Sequence, residues 1–224
     1  MSDKEAPDQG VGSDQHLTSD ATRIVNLCST LSELWHGGYS NPEDEKLAKL
    51  TARDMEVLCQ NISARVSGAI EGHSADQITI LKSESKKFKS GEWRSAIWID
   101  CMYETTNEGE KIDYDWIARS DKGAHLFRIW FTAKGVGIGI RVAGRKTHTT
   151  RQKLIDSVPS DYRDLAPLNS GRHFRHDLHL MGRRGQMNTY LAKWYGSFTS
   201  DEDFLDQIAF EWSQLGYFLN KYRC

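Results

Sequence analysis

The stretch HLFRIWFTAKGVGIGIRV, residues 125–142, decides how this chain folds. His125 to Thr132 is rich in aromatic and apolar side chains and reads as a β-strand. Lys134-Gly135 is a hairpin signal, and Val136 to Val142 reads as the returning strand. In that second strand Gly135, Gly137 and Gly139 alternate with Val136, Ile138 and Ile140, so the glycines line one face. A bare strand face lets a bulky group lie against the backbone, and the protein's own Trp or Tyr is the expected occupant. The run also looks like a phosphate-binding GxGxG. A dinucleotide fingerprint, however, needs a strand before the glycines and a helix opening on the last, and here the glycines sit inside a strand.

Reading outward, Ile78, Ile80 and Trp93 to Tyr103 have strand character. In the longer one Trp93, Ser95, Ile97, Ile99 and Cys101 take one face, and Arg94, Ala96, Trp98, Asp100 and Met102 the other. Tyr114 to Ala118 is a further strand, followed by the turn Ser120-Asp121-Lys122-Gly123. Tight connections make this a meander, so the sheet is expected to be mostly antiparallel. Beyond it, Thr147, Thr149 or Thr150 caps a short helix through Leu154 and Ile155. Ser160 to Leu165 makes another helical turn, and His173 to Met181 reads as a strand. Ser200 at N-cap with Asp203 at N3 approximates a capping box. Phe204, Ile208, Trp212, Leu215 and Leu219 then mark a helix to about Lys221.

Upstream, Ser19 or Asp20 caps a helix carrying Ile24, Leu27, Leu31, Leu34 and Trp35, closed by His36-Gly37-Gly38. Asn41-Pro42 starts a second helix with Glu43, Asp44 and Glu45 in its first turn. Its stripe is Met55, Leu58, Ile62, Val66 and Ile70, and Gly72 closes it. The expected fold is therefore α+β: an N-terminal helical hairpin, a mostly antiparallel sheet of four to six strands, and a C-terminal helix packed on the sheet. Residues 1–17 read as a disordered acidic tail, 18–76 as the hairpin, and 77–224 as the α+β domain with a basic face. The hairpin's apolar stripe must bury against something.

Charge is uneven along the chain. Residues 141–193 carry eleven Lys/Arg and four Asp/Glu, whereas residues 1–80 carry six bases and thirteen acids. A basic window in a chain of net charge −2 is an electrostatic footprint for an anion, and nucleic acid is the commonest large one. The candidate phosphate contacts are Arg141, Arg145, Lys146, Arg151, Arg172, Arg175, Arg183 and Arg184. Threonine hydroxyls and Trp130, Tyr162, Tyr190, Trp194 and Tyr195 lie nearby in sequence, matching the side chains that hold phosphates and stack on bases.

Other chemistries are poorly supplied. Cys28, Cys59, Cys101 and Cys224 form no CxxC pair, which argues for free thiols in a reducing cytoplasm and against structural zinc. On a strand His173 and His179 share a face and His176 takes the other, so the three do not converge on a metal. The Glu84-Ser85-Lys86 triplet precedes the acids Asp100, Asp113 and Asp115, the wrong order for a metal nuclease, and Gly-x-Ser-x-Gly is absent. No catalytic set, metal or cofactor is expected, no apolar run is long enough for a membrane span, and the N-terminus has no signal-peptide core.

The segment Asp115-Trp116-Ile117-Ala118, the strand Leu126 to Thr132, the Gly-rich strand 136–142 and the closing helix Phe198 to Tyr222 together resemble the N-terminal DNA-recognition domain of modified-cytosine restriction systems. The resemblance covers about residues 90–222. It implies a small sheet with an aromatic pocket that accepts a methylated cytosine flipped from the duplex. Trp116 and an aromatic of the later strand, Trp130 or Phe131, would form the pocket and stack on the base, and Asp115 or Asp113 would accept from its amino group. The reading that follows is a nucleic-acid-binding module in a restriction or defence setting. The alternative is a protein–protein regulator or inhibitor acting through its acidic N-terminal half, with residues 18–71 as its contact. An enzyme of unknown type comes third.

Overall fold

The computed structural model describes residues 18–35, 37–71, 78–81, 87–103, 125–142, 153, 156–163 and 189–221. The predicted helix signals act where expected. Helix α1 spans Asp20–Leu34 and helix α2 spans Pro42–Glu71. The Ser19 hydroxyl accepts from the Thr22 amide at 3.2 Å, and the Asn41 side chain accepts from the Asp44 amide at 2.9 Å. Both therefore satisfy first-turn donors that the helix itself leaves unpaired. Helix α3 spans Asp201–Lys221, and the Ser200 hydroxyl accepts from the Asp203 amide at 3.1 Å. The reciprocal arm of this box is displaced by one residue, because the Asp203 carboxylate takes the amide and hydroxyl of Thr199.

Five described strands form one antiparallel sheet in simple chain order: β1 (Ile78–Leu81), β2 (Ala96–Tyr103), β3 (His125–Thr132), β4 (Gly135–Val142) and β5 (Thr189–Tyr195). The fold is the expected α+β architecture, with five strands inside the expected four to six. The strand expected from Trp93 begins only at Ala96. A tight reversal explains this: Gly91 has φ 93°, the Gly91 amide donates to the Phe88 carbonyl, and Trp93 pairs back with Lys87. Strand β5 was not foreseen. The strands expected at Tyr114 to Ala118 and His173 to Met181 lie outside the described residues. Of the helical turn expected from Ser160 to Leu165, a 3-10 turn covers Ser160–Arg163.

All three helices lie on one face of the sheet. Register puts Ile97, Ile99 and Cys101 of β2, Phe127, Ile129 and Phe131 of β3, Val136, Ile138 and Ile140 of β4, and Leu191 of β5 on that face, all buried. Against them pack Ile24, Cys28 and Leu31 of α1, Met55, Ile62 and Val66 of α2, and Phe204, Ile208, Trp212 and Leu215 of α3. The Trp212 ring meets Phe127 edge-on at 5.0 Å, and Phe204 meets Phe198 likewise at 5.1 Å.

The helical hairpin belongs to the same core as the sheet. Polar ties reinforce it at the start of α1, where the Ser19 and Thr22 hydroxyls donate to the Phe198 carbonyl and the Phe198 amide donates back to Thr22. The Asp201 carboxylate accepts from the Asp20 amide and pairs with Arg65 of α2. One residue, at the head of α3, thus links all three helices.

Candidate functional site

The opposite face of the sheet carries no helix among the described elements, and its composition is different. Cross-strand register aligns Trp98 of β2, Trp130 of β3, Gly137 of β4 and Trp194 of β5 in one row. The next row is Asp100, Arg128, Gly139 and Ala192. Three strand steps of about 4.8 Å separate the backbones of Trp98 and Trp194, so the row spans about 14 Å. The expected occupant of the bare glycine face is Trp194: a Cβ at Gly137 would stand 3.0 Å from its ring. At Gly139 the β5 backbone itself comes close, and a Cβ there would lie 1.9 Å from the Leu191 carbonyl oxygen.

Beneath the indoles lies a buried ion pair. Arg128 donates through Nε to Asp100 Oδ1 at 2.5 Å and through Nη2 to Oδ2 at 2.7 Å, and both side chains are 1 % exposed. This two-pronged geometry satisfies the carboxylate while the low surrounding dielectric strengthens the pair. The guanidinium also sits 4.9 Å from the Trp98 ring centroid and 5.8 Å from that of Trp130. Arg94 continues the stack on the far side, 5.4 Å from Trp98 and 5.2 Å from Phe88. Cations and aromatic faces thus alternate along this part of the sheet, each cation attracted to the ring face beside it.

The residues singled out from sequence fall unevenly on this face. Trp130 is on it but 1 % exposed, so it is the floor of the row; Trp98 and Trp194 are the partly exposed members. Arg141 is fully buried, which removes it from any solvent-facing rim. Trp116, Asp115, Arg145, Lys146, Arg151, Arg172, Arg175, Arg183 and Arg184 lie outside the described residues. Trp194 is among the aromatics noted beside the basic window, whereas the sequence gives no sign that Trp98 stands in the same row. Strand alternation placed Trp98 opposite Ile97, but the pairing of β5 with β4 was needed to bring Trp194 alongside.

A second polar constellation ties β5 to α3. Glu211 is fully buried and accepts from the hydroxyls of Tyr162 and Tyr195 and, at 3.0 Å, from Gln207. Lys193 lies 2.9 Å from Asp161 and 3.5 Å from Glu211, with its ammonium 4.4 Å from the Tyr162 ring centroid. Burial, and then the Glu211 carboxylate, push both tyrosine hydroxyls well above their ordinary range. Burial alone would lower Lys193, but Asp161 and Glu211 outweigh it and raise the ammonium. The Lys193 ammonium holds Asp161 below the usual carboxylate range.

The Asp100 carboxylate on the tryptophan face is taken by Arg128. The Cys28 and Cys101 thiols are raised by burial, as is Cys59, pushed up to about 12, so all three are poor nucleophiles. Among the described residues no three His, Cys, Asp or Glu side chains converge as a metal site, and no helix is long and apolar enough to cross a membrane. No protein-family model, no curated protein and no solved structure matches this chain.

Proposed function

We propose that this chain is a nucleic-acid-binding module that holds bases against its tryptophan face. One observation carries the reading: Trp98, Trp130 and Trp194 stand in register on the helix-free face, and a basic stretch connects the two strands β4 and β5 at that side of the sheet, attached at Val142 and Thr189, five residues along each strand from Gly137 and Trp194. Residues 143–188 hold nine Lys/Arg against four Asp/Glu and connect β4 to β5. Arg145, Lys146, Arg151, Arg172, Arg175, Arg183 and Arg184 would contact phosphates, and Trp98 and Trp194 would stack on bases. Such division of labour is how sheets with aromatic faces hold unstacked bases. The Trp194 indole N–H is buried and finds no acceptor among the described residues. An unmet donor costs about 1–3 kcal/mol, so an acceptor on a base edge is favoured there once the ring shifts. Recognition of a modified or flipped base in a restriction or defence setting is the specific form suggested by the family resemblance, which would give Trp116 and Asp115 contacts to that base.

Fluorescence anisotropy of labelled single- and double-stranded oligonucleotides across a salt series tests this. Replacing Arg145, Lys146 and Arg151 with Ala should weaken binding to all sequences alike. The slope of log K against log salt should fall by roughly 0.7–0.9 per lost contact. Trp98→Ala should reduce preference among bases and leave that slope nearly unchanged. Wild-type protein without salt-dependent binding at low ionic strength would overturn the proposal.

A further inference from the structure

We infer that Arg94 is the centre of a phosphate-binding site, and that the phosphate it takes belongs to a strand lying on the tryptophan face. The second half of this inference rests on the nucleic-acid reading; the first does not. Trp98 has two guanidinium groups beside it, Arg128 at 4.9 Å and Arg94 at 5.4 Å from its ring centroid. Arg128 has a carboxylate, Asp100, which takes Nε and Nη2 together. Arg94 has none. No ion pair joins it to another described residue, and its Nε is buried without an acceptor among them. A second ring still fixes its place, since the guanidinium lies 5.2 Å from the Phe88 centroid. The side chain as a whole is half-buried, so one edge of the guanidinium stays open. A buried donor without an acceptor is destabilising, and a planar guanidinium is best satisfied by two oxygens of one anion. An oxyanion on Arg94 would do there what Asp100 does for Arg128.

The surroundings favour phosphate over a carboxylate. Arg94 follows the tight turn in which Lys87 pairs with Trp93. That turn supplies two further cations, Lys87 and Lys89, both exposed. Lys87 is paired with Glu45 of α2, whereas Lys89 joins no acid among the described residues. The acid of the turn, Glu92, is buried and makes no ion pair with Arg94. Arg94 thus provides the fork for two oxygens, and the lysines add charge without fixed geometry. The position also suits a polyanion. Arg94 precedes β2, the strand that carries the Trp98 end of the row, and the basic stretch is attached to β4 and β5, beyond the other side of Trp130. A single strand crossing the row of about 14 Å would run from one to the other, with its bases toward the tryptophans. A lone carboxylate could meet only one of them.

Titrating the full wild-type chain with inorganic phosphate, while the arginine Nε–Hε resonances are followed by NMR, reads the site directly. The Arg94 resonance should shift and saturate, and that of Arg128, whose edge Asp100 fills, should stay in place. Chloride at the same ionic strength should leave Arg94 unmoved, and acetate should move it less than phosphate does. A larger shift with acetate would overturn the inference in favour of an acidic peptide. The second arm measures binding of a single-stranded oligonucleotide across a salt series. Arg94→Lys should bind at least about tenfold more weakly with the salt slope nearly unchanged, because the charge stays and the fork is lost. Arg94→Gln should also lower that slope by roughly 0.7. If either variant misfolds, the wild-type phosphate titration decides the matter. An Arg94 resonance indifferent to phosphate overturns the site. Oligonucleotide binding that both variants keep in full overturns the inference and leaves the nucleic-acid reading standing. A saturable phosphate shift in a chain that binds no oligonucleotide overturns that reading and supports the site.

Discussion

Gly139 and Gly137 show how much the surroundings of one residue decide. Both are strand glycines on the same face, yet they answer to different neighbours. A methyl group at Gly139 would strike the Leu191 carbonyl and the Ala192 Cα, backbone atoms that move only if β5 leaves β4. At Gly137 it would press on the Trp194 ring at 3.0–3.2 Å, which a small ring displacement relieves. Gly139→Ala should therefore cost about 3 kcal/mol or more, and Gly137→Ala about 1 kcal/mol, in urea unfolding. Equal losses would show that β5 does not approach β4 as closely as described. The Asp100–Arg128 pair makes a second demand. Asp100→Ala leaves a guanidinium buried without its carboxylate and should cost about 3–5 kcal/mol, whereas replacing both partners with apolar residues should cost much less. A double-mutant cycle reads that difference.

At the scale of elements, the junctions carry the polar chemistry. Tyr162 and Tyr195 have hydroxyls raised above their ordinary values, and the Lys193 ammonium is raised too. A group whose folded value is raised contributes its full stability below the unfolded value, here roughly pH 10, and loses it as pH climbs from there. The buried thiols of Cys28, Cys59 and Cys101 are raised as well, from an unfolded value of roughly 8.5, so the urea midpoint should be flat to about pH 8, begin to fall above it and fall more steeply above about pH 10. Combining Tyr162→Phe with Tyr195→Phe should flatten part of the fall, and an unchanged alkaline limb would sink the assignment. At the other end of α3, the Ser19 hydroxyl both caps α1 and donates to the Phe198 carbonyl. Ser19→Ala should cost about 1–2 kcal/mol, more than Asn41→Ala, whose cap faces solvent.

For the whole molecule, the shared core predicts one unfolding event. Helices α1 and α2 have no apolar cluster of their own; their buried side chains are continuous with those of the sheet and α3. Far-ultraviolet dichroism, dominated by helix, and tryptophan fluorescence, which includes the helix-free face, should give coincident urea transitions. Separate midpoints would mean that the hairpin unfolds on its own. Across the sheet from the three helices, the fold presents its tryptophan face.

Local periodicity made much of this legible in the residues alone. The caps at Ser19, Asn41 and Ser200, the stripes of α1, α2 and α3, and the β3–β4 hairpin rest on contacts between near neighbours in the chain, so the sequence by itself determined them. Alternation also separated Trp98 and Asp100 from Ile97 and Ile99. It did not say which face the helices cover, since both faces of β2 hold large side chains. Strand β5 escaped notice because Lys193 stands among the core-facing positions, stabilised by Asp161 and Glu211, which are distant in sequence. Arg141 looked like a surface base because a charge in sequence carries no sign of its burial; only the closed structure places it inside. The tryptophan row, the Asp100–Arg128 pair and the Glu211 cluster were decided by tertiary structure. Each needs register between segments that nothing local brings together, and that register is set by packing across the whole sheet.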